Sequence, residues 1–254
     1  MSGIFYKRLA TIIALVLVWQ LFCKTAMYPT YLLPTPEQVE QTLLQGIIDG
    51  QLVIALLSSL KRMVIGYSMA VVLGLALGVA LIKWKYLDQT IGFFILAVQT
   101  IPSVAWLPLA LIWFGLNERA IIFVVIIGSL WTMVMSVKTA IKGVNPDYIR
   151  LAKTLGYNKW ALFWKIVIPA ALPELIVGLR LAWAFAWRSL LAGELLGGES
   201  GLGQTLMIGR NLGDMSLVIA VMIIIATLGI LIDLFLFQRL ENQIFAKRGY
   251  SSKR

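Results

Sequence analysis

Histidine is absent from the 254 residues. That removes imidazole acid–base catalysis, Ser-His-Asp triads and most zinc sites. Cysteine occurs once, as Cys23, which rules out an intramolecular disulfide, and its place in an apolar run fits simple burial. No G-x-x-x-x-G-K-[ST] stretch exists, so the chain has no phosphate loop with which to bind ATP. Gly198, Glu199, Ser200 and Gly201 approach a nucleophile elbow, but Leu202 stands where the last glycine is required. Charge is scarce too: 13% of residues are charged and 60% hydrophobic, with a mean hydropathy of +0.87. This composition lies outside that of soluble domains and marks an integral membrane protein. Acids are the rarer sign, 12 against 22 Lys and Arg, for a net charge of +10. The basic residues lie between and after apolar runs and not on one face of a soluble domain. They read as topology signals, and nucleic acid is excluded as a partner.

A bilayer span needs roughly 20 mostly apolar residues. The first runs from about Leu9 to Met27 behind Lys7 and Arg8; no small-x-small cleavage pattern follows it, so a retained helix is expected. Residues 28–50 form a polar connection with an amphipathic helix. Thr35 and Gln38 match a capping box, Pro36 takes the first helical position, and Val39, Leu43, Leu44, Ile47 and Ile48 recur at helical spacing opposite Glu37, Glu40 and Gln41. Both an interfacial position and ordinary packing outside the membrane suit it. The second span covers about Met63 to Ile82, with an earlier helical stretch from Leu52 as an optional entry, and Gly74 and Gly78 stand four apart and let a neighbouring helix approach.

Lys83 and Lys85 mark a turn before the third span, about Ile91 to Phe114, which Gln99, Thr100, Pro102, Ser103 and Pro108 interrupt. Backbone groups freed by the prolines must find partners in protein or water, because lipid offers none. Gln99 and Pro102 are therefore candidates for a translocation path, with a packing kink as the alternative. The fourth span is about Ala120 to Ser136, a basic loop occupies about 137–172, and the fifth span runs from about Pro173 to Leu196. Residues 197–216 are too polar and Gly-rich to span and suit a loop dipping back toward the interior. A sixth span, about Leu217 to Phe237, precedes a tail with Arg239, Lys247, Arg248, Lys253 and Arg254. The expected fold is all-α and polytopic with about six membrane helices. Lys and Arg concentrate at the N-terminus, the Lys83 turn, the long loop and the tail, which puts both termini and that loop in the cytoplasm.

Arg188 and Glu194 lie inside the fifth span, where an unpaired ionised side chain costs about 2.5–3.5 kcal/mol. At six residues' separation they point about 240° apart, so each needs its own surroundings. Two readings stand: both line the translocation path, Arg188 offering a positive field to an anion, or they pair with neighbouring helices. Arg180, nearer the end of the span, is expected to snorkel to the interface.

In the basic loop, Asn145 and Pro146 supply an N-cap and first-turn proline for a helix ending at Gly156. A second helix fits from about Lys159 to Val167, closed by Pro169 and Pro173. The spacing Ala152, Gly156, Ile166, Pro169 resembles the EAA loop of the permease subunits of bacterial ABC importers, with Ile168 where Leu is usual and Arg150-Leu151-Ala152 replacing Glu-Ala-Ala. The segments LLPTPEQV from Leu32, IPSVAWLPLALIWFGLNE from Ile101 and AGELLGGESGLG ending at Gly203 resemble the sulfonate, taurine, nitrate and bicarbonate branch of those permeases.

That resemblance implies a type I importer permease, with residues 1–254 as one permease domain. It further implies a homodimer in the bacterial inner membrane, two ATP-binding subunits below and a solute-binding protein above. No cofactor is expected in this chain; ATP and Mg belong to the partner ATPase. The implied docking surface comprises Arg150, Leu151, Ala152, Leu155, Gly156, Trp160, Phe163, Ile166 and Pro169. The branch implies a small anion, an organosulfonate such as taurine ahead of nitrate or bicarbonate. The alternatives are a permease for a vitamin precursor, a secondary transporter using Glu194 and Asp233, and a non-transporting scaffold.

Overall fold

The computed structural model describes residues 2–25, 29–198 and 200–247. Met27 at the end of the expected first span, Glu199, and the basic tail residues Arg248, Lys253 and Arg254 lie outside them. The described residues hold helices and connections, without a strand. In order the helices are α1 (Ser2–Lys24), α2 (Pro36–Ile48), α3 (Gln51–Lys83), α4 (Lys85–Gln99), α5 (Leu107–Phe114), α6 (Glu118–Lys142), α7 (Pro146–Thr154), α8 (Lys159–Leu162), α9 (Ile168–Gly197), α10 (Leu202–Leu212), α11 (Met215–Ile232) and α12 (Gln238–Lys247). A 3₁₀ turn, Ser103–Trp106, leads into α5. Two π turns, Phe163–Val167 and Asp233–Phe237, join α8 to α9 and α11 to α12.

Two compact units divide the chain, and their boundaries fall inside α3 and α11. The first comprises Met1–Ser59 with Ser200–Thr227. Here α2 starts as its sequence dictates: the Thr35 side chain accepts from the Gln38 amide at 3.3 Å, and the Gln38 side chain accepts from the Thr35 amide at 2.9 Å. Val39 is buried, while Leu44, Ile47 and Ile48 are exposed. The polar stretch after α9 is not simply a loop. It holds the helix α10, launched at Gly201, whose φ of 130° suits glycine, and anchored where the Leu202 amide donates to Ser59 Oγ at 2.8 Å. Composition argued against a span and missed that an 11-residue helix needs only one apolar edge.

The second unit comprises Leu60–Glu199 with Leu228–Arg254, and its core lies between α6 and α9. Met133, Val137, Ala140 and Ile141 of α6 pack with Ala171, Leu175 and Ala182 of α9. Gly66, Gly74 and Gly78 of α3 sit against Val125, Met133 and Val137 of α6 in the same ascending order, so these two helices run parallel. A Cβ at Gly74 would lie 2.7 Å from Met133 Cβ, which is why the small residues are needed there.

Parallel packing decides the role of the segment between them. Lys61 near the start of α3 meets Glu118 at the start of α6 at 3.0 Å, while Lys142 at the end of α6 meets Asp88 at the start of α4 at 2.9 Å. The chain must therefore cross the layer between Asp88 and Glu118, by way of α4 and α5. That crossing is bent by 99° at residues 100–102, where Pro102 and the 3₁₀ turn replace helix, as the interruption in the sequence predicts. Among the described residues four helices are long and apolar enough to span, the bent pair brings the number to five, and Ala10–Lys24 is a further apolar but shorter helix. This agrees with the expectation of about six.

Two expectations about the long loop change. The residues assigned to it, 137–172, are mostly helical: α6 continues to Lys142 and α9 begins at Ile168. Pro169 and Pro173 also do not end the second loop helix. Pro169 has no amide to donate, and the preceding π turn, with the Ile168 amide bonded to the Phe163 carbonyl, carries the helix through. Lys159–Gly197 is thus one continuous helical rod of 39 residues.

Candidate functional site

The loop helices present a face that no polar loop needs. Asn145 caps α7 through its side chain, which accepts from the Asp147 amide at 2.9 Å, and Asn158 caps α8, accepting from the Ala161 amide at 2.8 Å. Gly156 turns between them with φ 78°, and the Tyr157 amide returns to the Ala152 carbonyl at 3.1 Å, the closure that glycine permits at a helix C-terminus. Held this way, Leu151 and Leu155 of α7 and Trp160 of α8 are exposed, Leu155 at 69% and Trp160 at 72%. Trp164 joins them, with its ring 5.6 Å from that of Trp160. Ala152 turns inward and is buried, and Ile149 packs on the α6–α9 core.

The expected docking residues therefore divide. Arg150 is exposed and pairs only loosely with Asp147 at 3.5 Å. Ile166 is half-buried and Pro169 exposed. Phe163 is half-buried, packing one side against the core cluster. Trp164 stands on the exposed side. Helical spacing from Trp160, one turn on, was the signal for it.

The second candidate region lies at the broken crossing. Two cavities run end to end between α6, α9 and the break, and Gln99 and Thr132 line both. The smaller, about 140 Å³, is bounded by Pro102, Ser103, Gly128, Trp131 and Phe185. The larger, about 200 Å³, continues toward the α7–α8 end past Ser136, Thr139, Glu174 and Leu181. At the break, Ser189 Oγ stands 2.7 Å from Ser103 Oγ and 2.8 Å from the Phe185 carbonyl. A Cβ on Gly128 would collide with Ser189 Oγ, so glycine alone lets these three elements meet. Thr132, Ser136 and Thr139, spaced along one face of an apolar helix, were the sequence signal for this polar wall.

The two charges of the fifth span prove different in kind. Glu194 is fully buried, and its carboxylate accepts from Arg62 Nη1 at 2.8 Å. It therefore leaves the translocation path, where sequence reasoning had offered it a place, and becomes a tie between α9 and α3. Arg62, at the edge of the apolar run that begins near Met63, is itself 1% exposed and also reaches Glu118 at 3.4 Å. Burial is compensated because each ion meets a counter-ion. Arg188 is exposed, its guanidinium stacked 5.6 Å from the Phe185 ring at the edge of the smaller cavity. Arg180 does not snorkel. Its Nε and Nη2 donate to the two oxygens of Asp233 at 2.5 Å, a bidentate geometry.

Residues 70–241 match the family described as binding-protein-dependent transport system inner membrane component. The nitrate import permease NrtB of Synechocystis is 32% identical, over 89% of this chain and 84% of that one. The taurine transport permease TauC of Escherichia coli is 30% identical over 89% and 84%, and the bicarbonate transport permease CmpB of Synechocystis 30% over 87% and 82%. Among solved structures, a chain of the inward-facing MetNI methionine ABC transporter superposes with a TM-score of 0.68, covering 76% of this chain and 96% of that one at 20% identity. At that identity it speaks for the fold alone, and the fold is that of a type I importer permease. Family match, relatives and fold agree: the chain belongs to the inner membrane components of binding-protein-dependent transport systems, as a multi-pass ABC importer permease and not an enzyme.

Proposed function

We propose that this chain, as one permease domain, works as a homodimer whose two α7–α8 loops seat on two ATP-binding subunits that hold ATP and Mg, and that it imports a small anionic solute. The loop and both termini lie in the cytoplasm, and a solute-binding protein delivers the solute from the other side. The observation that carries the reading is the exposed Leu151, Leu155, Trp160 and Trp164 surface on a loop otherwise rich in Lys and Arg. Large apolar side chains bared on the watery side of a membrane protein call for a protein partner.

Continuity of the rod from Lys159 to Gly197 supports a lever: a push on α8 reaches the wall of both cavities without passing a flexible joint. ATP binding would favour one arrangement of the rods and nucleotide release the other, which is all that alternating access requires. The path itself is read as the two cavities at Gln99, Pro102 and Thr132. Arg188, exposed within an apolar helix and stacked on Phe185, contributes a positive field toward an anion. Relatives that carry nitrate, taurine and bicarbonate favour that class, and an organosulfonate of the taurine type is preferred.

The test is ATP hydrolysis by the complex reconstituted in liposomes, with its binding protein loaded in turn with taurine, an alkanesulfonate, nitrate or bicarbonate. Stimulation by one loaded form supports the reading and identifies the solute. A verified complex that none of the four stimulates would remove the anion assignment.

A further inference from the structure

Between the membrane helices, charges are mostly committed. Lys138 and Lys142 of α6 share Asp88 of α4, Asp233 holds Arg180 of α9, and Arg62 holds Glu194. The α7–α8 loop differs. Residues 145–166 carry four cations, Arg150, Lys153, Lys159 and Lys165, against one acid, Asp147. All five are exposed, Arg150 reaches Asp147 only at 3.5 Å, and the three lysines have no ion pair among the described residues. The cations also adjoin the bared apolar side chains: Arg150 precedes Leu151, Lys159 precedes Trp160 and Lys165 follows Trp164.

Basic and apolar side chains together suit either an anionic membrane surface or an acidic groove on a protein. Length decides between them. The rod Lys159–Gly197 has 39 residues, about 58 Å at 1.5 Å per residue, whereas the hydrocarbon layer is about 30 Å thick. Near its far end Glu194 is tied to Arg62, which also reaches Glu118, the half-exposed acid at the start of α6. That polar level marks one membrane boundary. About 20 residues back along the rod, one crossing away, stands Glu174, an exposed acid that marks the other. Trp164 and Lys159 lie about 15 Å and about 22 Å further on, past the headgroups and in water.

We propose that the loop fits a groove whose floor is apolar and whose rim is lined with Asp and Glu side chains, the floor taking Leu151, Leu155, Trp160 and Trp164 and the rim facing Arg150, Lys153, Lys159 and Lys165. This rests on the reading that the loop seats on an ATP-binding subunit, and it specifies what that subunit must present. Four unpaired cations brought against a neutral surface would lose water without compensation, and against a basic one they would be repelled. Against carboxylates they draw the subunit in and fix its register. Charge on the rim thus selects among ATP-binding subunits, while the apolar floor holds the one selected.

Two measurements on the purified permease with its cognate ATP-binding subunit, in discs of uncharged phosphatidylcholine, test this. A carbodiimide joins an amine directly to a carboxylate, and mass spectrometry is expected to find Lys153, Lys159 or Lys165 bonded to Asp or Glu of the subunit. If an amine-to-amine linker joins those lysines to the subunit while the carbodiimide never does, the acidic rim is overturned and the docking reading stands. The association rate is then followed from about 50 to about 500 mM KCl, a range over which screening shortens from more than 10 Å to a few Å. A fall of about tenfold is expected for the wild type. Arg150→Glu should slow association about tenfold at the low salt and far less at the high, and Arg150→Lys should restore the wild-type rate. A rate that ignores salt and the Arg150→Glu change overturns the proposal. A wild-type permease that does not bind the subunit under any of these conditions would overturn the docking reading itself.

Discussion

Arg62 and Glu194, 132 positions apart in the chain, meet at 2.8 Å with almost no exposure of either side chain. The pair ties α3, about three turns in from Gln51, to the end of α9, and Glu118 at the start of α6 joins from its half-exposed position at 3.4 Å from Arg62. Three crossings are thus fastened at one end of the layer by charge, whereas their middles are held by small-residue packing.

Removing one member leaves the other ion buried. Glu194→Gln or Arg62→Met should each destabilise the detergent-solubilised protein by about 3–5 kcal/mol, while the double Arg62→Met, Glu194→Leu variant should recover most of that. Thermal unfolding of the three variants checks it. Equal losses in the single and double variants would mean that the pair is no tie.

Much of this was legible in the sequence, and the exceptions share a cause. Capping of α2 and α7, the turn at Gly156 and the break at Pro102 each depend on residues within a few positions of one another, so local rules suffice. The pairing of Glu194 depends on Arg62, which sits at the edge of an apolar run 132 positions away in the chain, where no local rule reaches it. Pro169 and Pro173 follow the ordinary rule for helix breakers, but a π turn shifts the register ahead of them, and no single residue announces such a turn. For the candidate site, exposure separates Trp160 from Phe163, and exposure is a property of the packed molecule.

The glycine seam between α3 and α6 is a matter of distance. Gly74→Ala and Gly78→Ala would bring a methyl within 2.7 Å of Met133 Cβ and 2.6 Å of Val137 Cβ. Each should cost about 1–3 kcal/mol through overpacking. Gly229→Ala, where nothing lies within 4 Å, should instead be neutral or stabilise by up to about 1 kcal/mol. Parallel thermal unfolding of the three variants checks the contrast, and similar behaviour of all three would show that the seam is loose.

Asp233 bears on the energy source. Both oxygens of Asp233 are held by Arg180, which makes it a structural partner of α9. Asp233→Asn should therefore retain ATP-driven uptake, with lower stability, and a protonophore should leave uptake by the wild-type complex unchanged. Uptake that collapses with the protonophore while ATP is plentiful would return the secondary-transporter reading.

Gly156 isolates the coupling step from the membrane fold. Its φ of 78° lies where a Cβ is strained, yet a Cβ there would meet nothing within 4 Å, so the cost of substitution is conformational and not steric crowding. Gly156→Asn, a residue that tolerates the left-handed region, should keep transport. Gly156→Ala should lose about 1–2 kcal/mol locally and part of the coupling. Gly156→Pro cannot reach that φ and also loses the amide that bonds the Lys153 carbonyl at 3.1 Å, so α7 and α8 should separate. Since a side chain at Gly156 itself meets nothing within 4 Å, the purified permease should still unfold near the wild-type temperature. ATP hydrolysis by the complex should no longer respond to loaded binding protein, and solute uptake should stop. Normal coupled uptake in Gly156→Pro would show that the exposed Leu155 and Trp160 are not held in place by this turn, and the lever would have to be sought elsewhere.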